Sequence, residues 1–202
     1  MKGLLFKDLY MTWKYCKPFL LIVVMFTCLS GFVDNAFVYV YPAVFVAMIP
    51  FTLGAYDERS KWNIYCDSLP VSRKTVVSSK YLFSLIAALT VVFLSVISMV
   101  TSMLMESKYD INQLFSFFAI ILLLSFSGTS VLLPVYFRFG TEKARIIYLV
   151  IVALVSGISV GFGFVTGVKV FNANPITIVI ISTVIYVLSW LLSIRLYENR
   201  EL

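Results

Sequence analysis

Residues 81–105 read YLFSLIAALTVVFLSVISMVTSMLM, twenty-five positions without one Asp, Glu, Lys or Arg. An α-helix that crosses the ~30 Å hydrocarbon core of a bilayer needs about 20 predominantly apolar residues. This stretch therefore reads as a membrane span. Working outward from it, similar apolar runs recur at about 18–33, 36–56, 113–137, 146–168 and 175–194. The first of these is short for a bilayer and borrows residues from the turn before it. The expectation is an all-α polytopic membrane protein with six transmembrane helices. Nothing is left over for a second soluble domain, so residues 1–202 read as one transmembrane domain.

Composition agrees. The chain is 61% hydrophobic and 13% charged, with a mean hydropathy of +0.98. A soluble domain carries about 25% charged residues, so a water-facing surface cannot be built from this chain. The charges that remain are sorted by side. With the N-terminus inside, 14 of the 16 Lys and Arg residues fall on one side, and only Lys108 and Lys169 on the other. The ten acids divide seven to three. Orientation follows Lys and Arg rather than net charge, which places both termini and the 57–80 connection in the cytoplasm. The net charge of +6 is accounted for by this rule and does not point to nucleic acid.

Punctuation fits the spans. Asp34-Asn35, Glu106 to Asn112 and Lys169 to Ala173 read as short external turns. Pro42, Pro50 and Pro134 fall inside spans, where a freed backbone carbonyl needs a neighbour to satisfy it. Asn174-Pro175 reads as the N-cap and first helical residue of the last span. In the fifth span, Gly157/Gly161 and Gly163/Gly167 are two small-xxx-small pairs, a spacing that lets helix backbones approach closely.

Two polar stretches carry more pattern. Residues 1–17 form an amphipathic helix suited to the inner membrane interface. Leu5, Leu9, Trp13 and Cys16 recur on one face with Phe6 beside them, and Lys7, Lys14 and Lys17 lie opposite, toward lipid phosphates. Four lysines and no long apolar run in this segment do not resemble a cleavable signal peptide. The connection DERSKWNIYCDSLPVSRKTVVSSK, residues 57–80, is the longest between spans. Its first part forms a short helix with Trp62, Tyr65, Cys66 and Leu69 on one face. Leu69-Pro70 ends it, and Ser72 caps the next helix. Such a helix either offers a knob to a partner's groove or rests on the lipid interface. The residues alone leave both open.

The chemistry that is missing narrows the function. There is no histidine, so the commonest general base and metal ligand are absent. Cys16, Cys28 and Cys66 are not placed for an external disulfide. Every Asp, Glu, Lys and Arg is expected in a loop or at a span end. An ion-coupled transporter usually needs polar coupling groups at mid-membrane. No phosphate-binding G-x-x-x-x-G-K-[ST] loop occurs. An enzyme is not expected, and catalytic, cofactor-binding and metal-ligating residues are all expected to be absent. Any energy for transport would enter from outside the membrane.

Three stretches resemble a known family. MKGLLFKDLYMTWKY at the start, YDERSKWNIYCDSLPVSRKTVVSSKYLF at 56–83 and PVYFRFGTEKARII at 134–147 are similar to the interfacial helix and the two inner loops of ABC-2 type permeases. In size and layout the chain is also similar to the small permeases of phenol-soluble modulin exporters. The resemblance implies a membrane subunit of a bacterial ABC exporter in the cytoplasmic membrane, driven by a separate ATPase that holds ATP and Mg. It implies a second permease, identical or paralogous, and amphipathic peptide or similar apolar cargo moved by alternating access. It also implies that Asp57 to Leu69 is the coupling helix, with Asp57, Glu58, Trp62, Tyr65, Asp67 and Leu69 at the ATPase. Arg138 to Arg145, including Glu142, would be a smaller contact. Two other classes share these features: a permease-like sensor or scaffold, and a channel that works without nucleotide.

Overall fold

The computed structural model describes residues 2–29, 36–106, 111–147, 150 and 174–199. Among them all regular structure is α-helical. The elements are α1 (Lys2–Tyr15), α2 (Lys17–Leu29), α3 (Ala36–Arg59), α4 (Trp62–Asp67), α5 (Arg73–Glu106) and α6 (Ile111–Phe139). A helical segment at 141–147 (α7) and α8 (Pro175–Glu198) complete them. Helices at Arg73–Leu104, Leu114–Phe139 and Pro175–Glu198 are long and apolar enough to cross a membrane. The bent pair α1 and α2 adds a fourth if it counts as one span. The expected span at 146–168, with Gly157, Gly161, Gly163 and Gly167, lies outside the described residues apart from its first turn.

Local signals set several helix ends. Ser72 Oγ accepts the Thr75 N–H at 3.3 Å, so Ser72 caps α5 as its sequence indicates. Pro175 opens α8, but Asn174 helps through its carbonyl, which accepts the Thr177 N–H at 3.0 Å, and not through its side chain. The two polar connections are shorter than expected, because the apolar helices run on into them. α3 continues to Arg59, whereas α5 begins at Arg73, directly after the expected cap Ser72. The expected loop Arg138 to Arg145 is a single break at Gly140 between α6 and α7. Gly140 has φ +82°, the left-handed region that glycine enters at no steric cost.

Contacts fix the helix directions. Phe126 stacks on Tyr186, Ser189 donates to the Ser130 carbonyl, and Phe137 meets Tyr197 edge-on. The partners' numbers rise together, so α6 and α8 are parallel. On α5 they run oppositely: Lys74 meets Glu198, Ser78 meets Trp190, and the Tyr81 carbonyl accepts from Tyr186. α5 is therefore antiparallel to α8. Phe19 and Phe26 of α2 both lie against Phe45 of α3, and Ser98 of α5 donates to the Thr27 carbonyl.

α8 is built inside out. Its buried residues are Ser182, Tyr186, Ser189, Ser193 and Tyr197. Ile176, Ile180, Val184, Leu188 and Leu191 face outward, each more than half exposed. Lipid tails are as apolar as leucine, so helices in a bilayer gain little by hiding leucine from them. Small and hydroxyl side chains instead allow close packing and hydrogen bonds between helices. The Tyr81 hydroxyl, 2.7 Å from both Ser189 Oγ and Ser193 Oγ, is that kind of link.

The approach of α3 to α6 depends on Gly54, where an added Cβ would stand 2.8 Å from Tyr136 Cζ. Tyr136 is buried and cannot swing aside. Gly54→Ala is expected to lower stability by about 1–3 kcal/mol through overpacking. Gly3→Ala, where a Cβ meets open space, should leave the melting temperature unchanged. Thermal melts of the two variants in one detergent check this.

Candidate functional site at the basic end

The start of α5 and the ends of α3, α6 and α8 meet at one end of the bundle, where α1, α4 and most of the described Lys and Arg residues also lie. At its centre are four charges. Lys80, in the second turn of α5, places Nζ 2.6 Å from Asp57 Oδ2 and 2.9 Å from Asp8 Oδ1. Lys7 places Nζ 2.7 Å from Asp57 Oδ1 and 3.4 Å from Asp8 Oδ1. The side chains of Asp8, Asp57 and Lys80 are at most 5% exposed, and that of Lys7 is 23% exposed. The cluster sums to zero charge, which is what permits its burial.

This arrangement corrects three expectations. Asp57 is not in a polar loop but in the last turn of α3, and Lys80, within the helix that Ser72 caps, is buried. Lys7 does not face lipid phosphates; it is turned inward by the two acids. The stripe Leu5, Leu9, Trp13 and Cys16 is also divided. Leu5 and Cys16 pack on the bundle with Asp8 and Thr12, whereas Phe6, Leu9, Tyr10 and Trp13 are 60–72% exposed. The charged pair at Lys7 and Asp8 rotates α1 so that Phe6, Tyr10 and Trp13 point away from the protein, while Tyr15 at its end stacks on Tyr56 of α3. The axis then bends by 77° into α2 at Cys16.

Next to this cluster, Glu58 joins the end of α3 to α7. Its Oε2 accepts the Thr141 N–H at 2.8 Å and the Thr141 hydroxyl at 2.6 Å. A carboxylate on the first N–H groups of a helix satisfies donors that have no intrahelical partner. Any side chain at Gly140 would collide with Glu58, because a Cβ there would stand 2.6 Å from Oε1. An open groove of about 410 Å³ follows, lined by Ala55, Glu58, Arg59, Phe139, Thr141, Glu142, Lys143 and Arg145. Residues from both segments expected to contact a partner, Glu58 and Arg59 from one and Thr141 to Arg145 from the other, thus line it, and α4 does not. Arg138 is exposed beside the groove, with its guanidinium 5.0 Å from the Phe139 ring.

α4 is seated rather than free. Lys61 turns the chain with φ 55°, and Ser68 ends the helix. Cys66 is buried and Trp62 packs against the core, with Lys7 Nζ 4.4 Å from the centre of the Trp62 ring. Asp67 pairs with Arg73 at 2.6 Å, and Arg73 also donates to the Tyr197 and Glu198 carbonyls. Leu69 is half-buried. The face expected from Trp62, Tyr65, Cys66 and Leu69 is therefore split. Tyr65 points out, and its exposed neighbour is Ile64, at 58% and 60%.

Of the residues expected at a partner contact, Tyr65, Asp67, Arg138 and Glu142 are exposed. Asp57 is enclosed, and Glu58, Trp62 and Leu69 are half-buried. Asp8, Lys80 and Ile64 carry no role in the sequence reading, and Lys7 carries a different one. A signal existed for two of them. Asp8 stands four residues from both Leu4 and Thr12, and Lys80 stands three and four from Val77 and Val76. Each is a charge on a face otherwise bound for the interior.

A family model described as an ABC-2 family transporter protein matches residues 3–198 of the chain. No curated protein and no solved structure matches it.

Lys80→Met leaves two buried carboxylates with one partner and is expected to destabilise by about 3–5 kcal/mol. Adding Asp8→Asn restores neutrality and should recover a large part of that loss, as the two sites are in contact and their effects are not additive. Thermal melts of the single and double variants decide. Burial pushes the Cys66 thiol up from its ordinary value, so little of it is thiolate at neutral pH. N-ethylmaleimide should modify it much more slowly than a Tyr65→Cys thiol, and faster as pH is raised. Mass spectrometry of timed samples reads both rates.

Proposed function

The chain belongs to the ABC-2 family of transporter proteins, and from that premise we propose that it is the permease subunit of an ATP-driven exporter. A separate cytoplasmic ATPase supplies the energy. Two permeases, identical or paralogous, enclose the path, and the cargo is an amphipathic or apolar molecule such as a membrane-active peptide. The basic end faces the cytoplasm, where Lys and Arg accumulate beside bacterial membrane spans. α1 lies in the inner interface with Leu9 and Trp13 toward lipid.

One observation carries this reading. α4 and the α6–α7 junction are far apart in sequence, yet Glu58 and Thr141 bring their flanks together at one end of the bundle. A partner seated there reaches the outward side chains of α4 and the charged groove at once. Ile64 and Tyr65 supply an apolar contact, and Arg138, Glu142, Lys143 and Arg145 a polar rim, the composition of a specific interface. Closure of the ATPase pair on ATP would push on these elements and alternate the access of a cavity between the two permeases. Trp62 and Asp67 serve indirectly, by holding α4 in place.

The test is copurification in nanodiscs with candidate ATPases from the same genome, followed by ATP hydrolysis with and without amphipathic peptide. A stable complex stimulated by peptide is expected. Ile64→Ala/Tyr65→Ala should weaken ATPase retention by roughly tenfold or more, since truncating apolar and aromatic anchors removes the centre of an interface. Trp62→Ala and Asp67→Ala should uncouple transport with smaller losses of binding. A permease that captures no ATPase overturns the proposal.

A further inference from the structure

α1 and α2 together carry four lysines, Lys2, Lys7, Lys14 and Lys17, and a single acid, Asp8. That acid is committed to the interior. Its side chain is buried and lies 2.9 Å from Lys80 Nζ, and Lys7 is turned in beside it. The charges left outside are all of one sign. Lys2, Lys14 and Lys17 are exposed, and no carboxylate on α1 or α2 faces them.

The surface between these lysines is apolar. Lys2, Phe6, Leu9 and Trp13 follow one another at steps of three and four residues, which is one face of a helix, and Tyr10 and Lys14 form the adjacent row. Phe6, Leu9, Tyr10 and Trp13 are exposed. A cation thus stands at each end of an aromatic and aliphatic strip, with Lys17 just past the bend at the start of α2. Lys14 is drawn toward the bend, its Nζ 5.3 Å from the centre of the Tyr15 ring, and that ring stacks on Tyr56 of α3. Because α1 is bent by 77° from α2, α1 runs along the bilayer surface when α2 enters it. The strip then sinks into the boundary between headgroups and acyl chains, and the lysines stand at the depth of the phosphates. A second copy of the chain would bring the same cations to this face and be repelled. Lipids with a net negative headgroup supply the missing charge.

We propose that the outward face of α1 binds anionic phospholipids, with Lys2, Lys14 and Lys17 on their headgroups, so that the lipids touching α1 are enriched in acidic species. The seat of α1 in the interface belongs to the function proposed above; the selection of lipid by charge is added to it.

The experiment uses the full chain with Trp62→Phe and Trp190→Phe, which leaves Trp13 alone of the three tryptophans. The protein is placed in nanodiscs of phosphatidylcholine and phosphatidylglycerol in equal parts, with brominated acyl chains on one lipid or on the other. Bromine quenches an indole only near contact, so the two preparations report which lipid lies against Trp13. At low salt phosphatidylglycerol should be favoured at least about fivefold, the worth of one lysine near an acidic surface. The preference should fall toward one as salt rises to about 0.5 M, where exposed charges are screened. Lys2→Gln/Lys14→Gln/Lys17→Gln should abolish it at low salt, and the salt series decides by itself should that variant fold poorly. Equal quenching by the two lipids at low salt, or a preference that persists in the folded triple variant, overturns the selection while leaving α1 in the interface. Weak quenching by both means that protein covers Trp13, and overturns the interfacial seat as well.

Discussion

A charge moved out of water into an apolar bundle has to be compensated where it stands. Lys80 meets that requirement with two carboxylates from two other helices, and Lys7 balances the sum. Everything at the basic end is arranged around this condition. α1 must present Asp8 inward, so Phe6, Tyr10 and Trp13 turn out. α3 must end where Asp57 can reach both lysines, so Glu58, one residue on, is carried toward Thr141. α4 then begins under Lys7. A geometry of a few ångströms among four side chains thereby orients four elements.

The remainder of the bundle obeys a different rule. Away from the charges, α5, α6 and α8 meet through hydroxyls and small residues. Tyr81, Ser130, Tyr186, Ser189 and Ser193 form a connected seam between them. Serine and threonine elsewhere in the spans donate to carbonyls one turn back, as Ser125 does to Ile121 and Ser130 to Phe126. A side chain bonded in this way neither strands its donor nor keeps the backbones apart, although Ser95 Oγ, buried in α5, has no such acceptor. Packing of this kind is compact, and it leaves the leucine and isoleucine surface to the lipid.

The helical class, the membrane setting and the helix starts at Ser72 and Pro175 were legible in the sequence, because each follows from a local pattern: length of apolar run, charge density, capping chemistry. The faces of α1 and α4 were not. An apolar stripe marks the face that avoids water, and on a membrane protein that face can look toward lipid or toward the core. Leu5 and Leu9, one turn apart, went to different surroundings for this reason, as did Cys66 and Tyr65. Reading charges as markers of loops also hid Lys80, since nothing local to Lys80 reveals that Asp8, 72 residues away, is opposite it. The hydroxyl periodicity of α8 was equally visible and would have named its inner face, had polarity and not apolarity been taken as the sign of burial.

That inverted polarity bears on how the protein is made. α8 can enter the bilayer by itself, because its outward residues are apolar and its serines can satisfy their hydroxyls on their own backbone. Its specificity comes afterwards, from a stripe that finds Tyr81 and Ser130 on helices synthesised earlier. Insertion and recognition are thus separated in time, and a chain whose α8 has crossed the membrane but not yet docked exposes to lipid a row of hydroxyls that marks it as unfinished.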